Sequence, residues 1–382
     1  MRNLHLDALR GYCLVVMTID HLRIYGLSLV TQDTFGFFGA AEGFIFISGL
    51  VAGGYYSRLA ERSGEAAMTE RAVLRARDIY LTHIGLFALM LGAAVLLLPR
   101  APASAHLVGS RHWVHTPHPL ITLLLAASFL FQPAHFDILP FYALVILLVP
   151  VLVRSWKAGR GGRLLGLSAG LWLLSQPGVF VSLHLPAWVE LGTFNFFAWQ
   201  FLFVCGFTLA CLQRNQAAAP WFNSSRTWAA VLPLYALLFV LRHTRVILGP
   251  RFVDLRATDS WWVAKQTLGP LRICSFGLFA YLAAMAFIRY GPWLEKTLLH
   301  RYLRFLGQHS LQVFAWSILV SDAVPCSYQA LGVSGSRIAQ IALSFIGIAS
   351  LLLPAWLHRL YRERLTERAA TSALAGSHAS EA

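Results

Sequence analysis

LDALRGYCLVVMTIDH, residues 6–21, belongs to an apolar run of membrane-crossing character, yet it carries Arg10 and His21. An ionisable side chain in hydrocarbon costs at least ~2.5–3.5 kcal/mol, so such groups are seldom left there without a partner or a task. A helix advances ~100° per residue. Eleven steps therefore bring His21 to within about 20° of the direction of Arg10, ~16 Å further along the axis. Two charge-capable side chains on one face, at two depths, suggest a site inside a membrane bundle.

The rest of the chain supports that setting. Hydrophobic residues make up 57% of the 382 and charged ones only 13%, with a mean hydropathy of +0.60. Soluble domains carry roughly a quarter charged residues. The apolar residues recur in stretches of the ~20-residue length that crosses a bilayer. Ten are expected, near 8–30, 36–57, 78–98, 136–153, 164–184, 195–213, 228–248, 268–289, 304–323 and 338–358. Pro177 and Gly178 interrupt the fifth, and Leu120–Phe131 is too short to cross, which suggests an interfacial or re-entrant piece. The predicted fold is an all-α polytopic membrane helix bundle of about ten transmembrane helices. Residues 1–362 form the transmembrane domain, and residues 363–382 form a disordered cytoplasmic tail.

The net charge of +14 does not indicate nucleic acid, because of where it falls. With ten crossings and the amino terminus inside, the cytoplasmic segments hold twenty Lys and Arg against eight outside. That is the positive-inside asymmetry, and it predicts both termini in the cytoplasm. The basic loop before the eighth span is the exception. Cys13, Cys205, Cys211 and Cys274 fall in spans and Cys326 in an outer loop, which is neither a disulfide framework nor zinc spacing. No metal is required. The first span lacks a small-residue cleavage site and is expected to be retained.

Two sets of polar residues sit within the spans. Counting from the outer turn Gln32-Asp33-Thr34, His21 and Glu42 lie at compatible depths, ~13 and ~9 Å in. An imidazole oriented by a carboxylate suits a general base acting on a hydroxyl near neutral pH. Glu42 is the expected partner; Asp20 points ~100° away and orients the ring only from a neighbouring face. Mutual satisfaction in a helix interface explains His21 and Glu42 equally. Asp137, Asn195, Gln200 and Arg272 open the fourth, sixth and eighth spans from the same side and supply hydroxyl-binding groups. Helix capping accounts for Asp137 and Asn195 as well. Towards the cytoplasm lie Arg10, Ser48, Arg75, Arg77, Tyr80, His83, His309, Ser310 and Gln312. Grouped arginines suit phosphate, and Arg75 and Arg77 equally suit anionic lipid headgroups. Ser48-Gly49 offers a small surface for ligand approach or for helix packing. Joined along one face, the two sets fit acyl transfer across the membrane, and they also fit a proton-coupled transporter.

LDALRG with His21 resembles the Arg-x10-His signature of the membrane acyltransferase-3 superfamily. Five further blocks resemble its OpgC branch, known for succinylating osmoregulated periplasmic glucans. They are FGFFGAAEGFIFISG (35–49), QPAHFDILPFY (132–142), FNFFAWQFLFVCG (194–206), LGPLR (268–272) and FLGQHSLQVF (305–314). They occur in order over all but the tail. Gly39 departs from the more polar residue expected in many relatives, which puts acceptor preference in doubt. The resemblance implies a bacterial inner-membrane enzyme that moves an acyl group from cytoplasmic acyl-CoA, succinyl-CoA or acetyl-CoA, to a periplasmic glucan or polysaccharide hydroxyl. It matches His21 to the essential histidine and Arg10 to its paired arginine. On that reading Arg10, Ser48, Arg75, Arg77 and His309 hold the donor. Asp137, Asn195, Gln200 and Arg272 serve the acceptor, the oxyanion or the acyl group. Direct transfer and an acyl-histidine intermediate both remain open. Membrane lipids are expected partners, nucleic acid is not, and the sequence carries no signal of oligomeric state. The alternative is a transporter or flippase for a glycan or lipid.

Overall fold

The computed structural model describes residues 4–22, 31, 35–97, 118–133, 135–176, 191–214, 225–247, 249 and 261–380. Across them the chain is built from helices. α1 spans Leu4–Leu22, α2 Ala40–Arg62, α3 Gly64–Leu97, α4 Pro119–Ala127, α5 Ile138–Lys157, α6 Gly161–Leu174 and α7 Phe196–Arg214. After these come α8 Ser225–Arg242, a single turn α9 Thr244–Ile247, α10 Pro270–Leu294, α11 Leu298–Gln308, α12 Ser310–Ala330, α13 Arg337–Ala349 and α14 Leu352–Ser380. Four stretches are long and apolar enough to cross a membrane by length and composition: Ile138–Lys157, Phe196–Arg214, Pro270–Leu294 and Arg337–Arg368.

Several expected spans are altered. The third is the carboxyl-terminal part of a longer helix that starts at Gly64. The ninth breaks at His309 into α11 and α12, and Cys326, expected in a loop, lies on α12. The tenth breaks between Ala349 and Leu352, and α14 continues into the stretch expected as tail. The outer turn 32–34, residues 23–30 of the first span and residues 177–184 of the fifth lie outside the described residues.

Glycines set the closest approaches. Gly49, Gly53 and Ser57 of α2 meet Phe203, Phe207 and Cys211 of α7, and Glu61 meets Arg214 near the shared end. This ladder of fourth residues lies on one helical face, so α2 and α7 run side by side in the same direction. β-carbons at Gly49 and Gly206 would overlap the carbonyl oxygens of Phe203 and Phe46. The small surface at Ser48-Gly49 is therefore consumed in part by helix packing.

α1 has a similar companion. His5 stacks edge-on to His300, Gly11 and Gly307 abut, Arg10 reaches Ser310, and Leu22 packs with Val320. α11 and α12 therefore accompany α1 from end to end in the same direction. Gly11→Ala would drive a methyl group into the Leu303 carbonyl oxygen. Overpacking of this kind costs roughly 1–3 kcal/mol, and the check is a lowered thermal midpoint in detergent.

α5 runs opposite to α3. Arg154 bonds Glu65 and Thr69 near one end, and Phe136 packs on His83 at the other. From the Thr69 level α3 rises ~42 Å to Leu97, whereas α5 covers only ~24 Å from Arg154 back to Ile138. α4 and the turn after it pack against α3 near the level where α5 begins. His83, fully buried, approaches the Ala126 carbonyl at 3.3 Å, and Tyr80 donates to that of Ala127 at 3.2 Å. Tyr80 and His83 thus hold the short helix α4. Past Phe129, in the left-handed region at φ 62°, the chain turns back toward Asp137.

Candidate active site

Arg10 sits at the arginine-rich end of the bundle. Its Nη2 donates to Ser310 Oγ at 2.7 Å, and its guanidinium lies 5.6 Å from the Phe44 ring centre. Tyr142 packs edge-on against the same Phe44 and donates to Ser48 Oγ at 3.2 Å. Beside this group opens a cavity of about 700 Å³ between α1, α2 and α7. Its lining includes Asp7 and Arg10, then Gly54, Tyr55 and Arg58, then Gln213 and Arg214. Arg214 is shared with Glu61, at 2.7 and 2.5 Å from its two oxygens. The volume is within the range of small-molecule sites, and three guanidinium groups reach its lining, balanced in part by Asp7 and Glu61. Arg58 and Arg214 stand one residue beyond the expected spans 36–57 and 195–213. Residues 50, 54 and 58 recur at helical spacing, which was the available signal.

His21 lies at the other end of α1. Its ring packs on that of His135, centres 4.0 Å apart and tilted by 48°. His135 Nδ1 in turn stands 3.9 Å from Asp322 Oδ1 on α12. Sequence reading named neither residue as a site group, although Asp322 is a carboxylate within an expected span and falls under the rule that picked out Arg10 and His21. Asp20 is half-buried on the adjoining face of α1.

Arg10 and His21 do share a face, which meets Ser310 of α12 at one end and His135 at the other. The ~16 Å between them is packed rather than open. Leu14, Met17 and Thr18 fill it, all buried, and the Thr18 hydroxyl is folded onto the Leu14 carbonyl at 2.8 Å.

The remaining expected residues divide among other tasks. Glu42, expected beside His21, is 0% exposed and pairs with Arg272 of α10, whose Nε lies 2.7 Å from Oε1 and whose Nη2 contacts the same oxygen. Its other oxygen accepts the Gly39 N–H at 3.0 Å, closing the amino end of α2. The carboxylate thus answers a guanidinium and an unpaired helix donor, stronger claims than a neutral imidazole makes. α8 holds the segment leading into α2: Tyr235 donates to the Phe35 carbonyl and Arg242 to that of Gly36.

Asp137 precedes α5 but does not cap it; its Oδ2 accepts the Thr193 N–H at 2.6 Å. Asn195 caps α7 through the Phe197 N–H at 3.0 Å. Gln200 is engaged at both amide atoms, accepting from the Ser168 hydroxyl and donating to the Ser168 and Phe197 carbonyls. It ties α6 to α7 and turns no polar atom to a ligand. Arg77 is exposed and pairs with Asp78 at 3.3 Å. Arg75 is close enough to Tyr56 and His358 for the charges to interact. His309 meets His358 Nδ1 to Nδ1 at 2.8 Å and fastens α14 at the α11–α12 break. None of these three lines the cavity at Arg10. The outer set is thus two groups, Glu42 with Arg272 and His21 with His135.

A family model described as OpgC protein matches residues 2–363. No curated protein and no solved structure matches the chain.

Proposed function

The chain belongs to the OpgC family, and on that premise we propose that it is a multi-pass O-acyltransferase of the bacterial inner membrane. It takes an acyl group, succinyl in the family's best-known case, from cytoplasmic acyl-CoA. It delivers that group to hydroxyls of a periplasmic glucan or other carbohydrate. The observation that carries the reading is the shared face of α1, with Arg10 bordering a cavity that Arg58 and Arg214 also line, and His21 packed at the far end on His135, which neighbours the Asp322 carboxylate. The parallel courses of α1 with α12 and α2 with α7, and the opposed courses of α3 and α5, fit ten spans with both termini cytoplasmic.

His21 takes the proton of the acceptor hydroxyl as its oxygen attacks the thioester carbonyl. The carbon–sulfur bond breaks, an ester forms, and the imidazolium returns its proton to the departing thiolate. Arg10, Arg58 and Arg214 hold donor phosphates. For the thioester to reach His21 the packed face must part, and unbranched Met17 is the side chain that yields most easily. An acyl group carried on His21 itself is the two-step variant of the same chemistry.

The test incubates purified protein with radiolabelled succinyl-CoA and a glucan. Label in the carbohydrate supports the reading. Glucan that crosses a vesicle containing the protein without acquiring label assigns a carrier instead. Arg10→Ala removes a charged contact worth about 1.5–3 kcal/mol, so the donor KM should rise tenfold or more while the acceptor KM holds. An unchanged donor KM would remove Arg10 from the donor site.

A further inference from the structure

Asp322 is buried on α12 within an apolar stretch, where an anion persists only with a compensating partner. The structure gives it His135, with Nδ1 3.9 Å from Oδ1. His135 is itself unusual: its backbone sits at φ 75°, a left-handed conformation that costs a non-glycine residue roughly 1–2 kcal/mol. Strained backbone of this kind persists where the surroundings over-determine it, and it concentrates at functional sites. The conformation leaves the ring of His135 between the carboxylate of Asp322 and the ring of His21. Leu22, Val320, Trp316, Val324 and Ile348 pack together immediately alongside. The Asp322 side chain is 8% exposed against 24% for His135, so the carboxylate is the deeper of the two.

The geometry points to His135 and Asp322 as positioning residues for His21. The inference rests on the reading of His21 as the base. His135 holds the plane of the His21 ring, and Asp322 fixes the His135 ring and opposes the positive charge that appears on His21 when it accepts the hydroxyl proton. Neither residue exchanges a proton with substrate; the proton stays on His21 until the thiolate takes it.

The test measures kcat and both KM values for full-length protein with succinyl-CoA and a glucan. Asp322→Asn keeps the shape of the side chain but loses the charge. It should lower kcat about tenfold or more, a share of the ~10²–10⁴ that a general base contributes, with both KM values unchanged. Asp322→Glu should recover part of the loss. His135→Gly suits the left-handed backbone better than histidine does, so the variant folds while losing the ring, and kcat should fall likewise. Wild-type kcat in Asp322→Asn and His135→Gly, beside an inactive His21→Ala, overturns this inference and leaves the base assignment standing. Activity retained in His21→Ala instead overturns the base assignment, and this inference with it.

Discussion

His21→Ala is expected to abolish acyl transfer while the protein still accumulates in the membrane at its normal level. A positioned general base contributes ~10²–10⁴-fold, and His135, the imidazole packed on His21, is itself engaged with Asp322. If the acyl group rides on His21 itself, the loss is larger still, because the nucleophile has gone. Stability should change little by comparison. His21 is half-buried at the last turn of α1, and the glycine contacts that seat α1 on α11 lie nearly three turns earlier, around Gly11 and Gly307. The measurement is label transferred to glucan by the purified variant at matched protein concentration. Product near the wild-type amount refutes the role.

Glu42→Ala is expected to destabilise the fold by about 3–5 kcal/mol, the range for breaking a buried ion pair from one side. The side chain of Arg272 is only 12% exposed and would be left with its charge facing the cavity of the missing carboxylate. The Gly39 N–H at the start of α2 would lose its acceptor as well. The same physics predicts rescue. Glu42→Leu combined with Arg272→Met removes both charges and should regain much of the loss, because well-packed apolar pairs often equal a buried ion pair. Thermal unfolding in detergent reads both variants. A Glu42→Ala midpoint equal to wild type would mean that the pair is not coupled to folding.

The Glu42 case shows how far sequence reading reaches. The carboxylate is recognisable as a buried charge needing a partner. Its partner lies 230 residues away on a different helix, and only the approach of α10 to α2 selects Arg272 over His21. Gln200 and Asn195 follow the same pattern. They are polar groups at helix starts, read as ligand donors, that are spent on Ser168 and on the amino end of α7. Capping was one of the two readings open for Asn195, and a local contact decided it. His135 escaped because it lies in a turn where no periodicity directs it, and its left-handed backbone leaves no mark in composition. Asp322 is legible as a carboxylate within an expected span.

What the sequence determined by itself is the helical, membrane-type character of the chain and the common face of Arg10 and His21. Both follow from local quantities. Hydrophobic length measures the bilayer, and ~100° per residue sets the direction of every side chain about its own axis. Tertiary structure alone decided what that face meets: Ser310 at one end, His135 at the other, and buried Leu14, Met17 and Thr18 between. The reason is that a helix's own geometry says nothing about its neighbours. Which helix lies alongside, and in what register, is chosen where small residues such as Gly11, Gly49, Gly206 and Gly307 let two backbones touch.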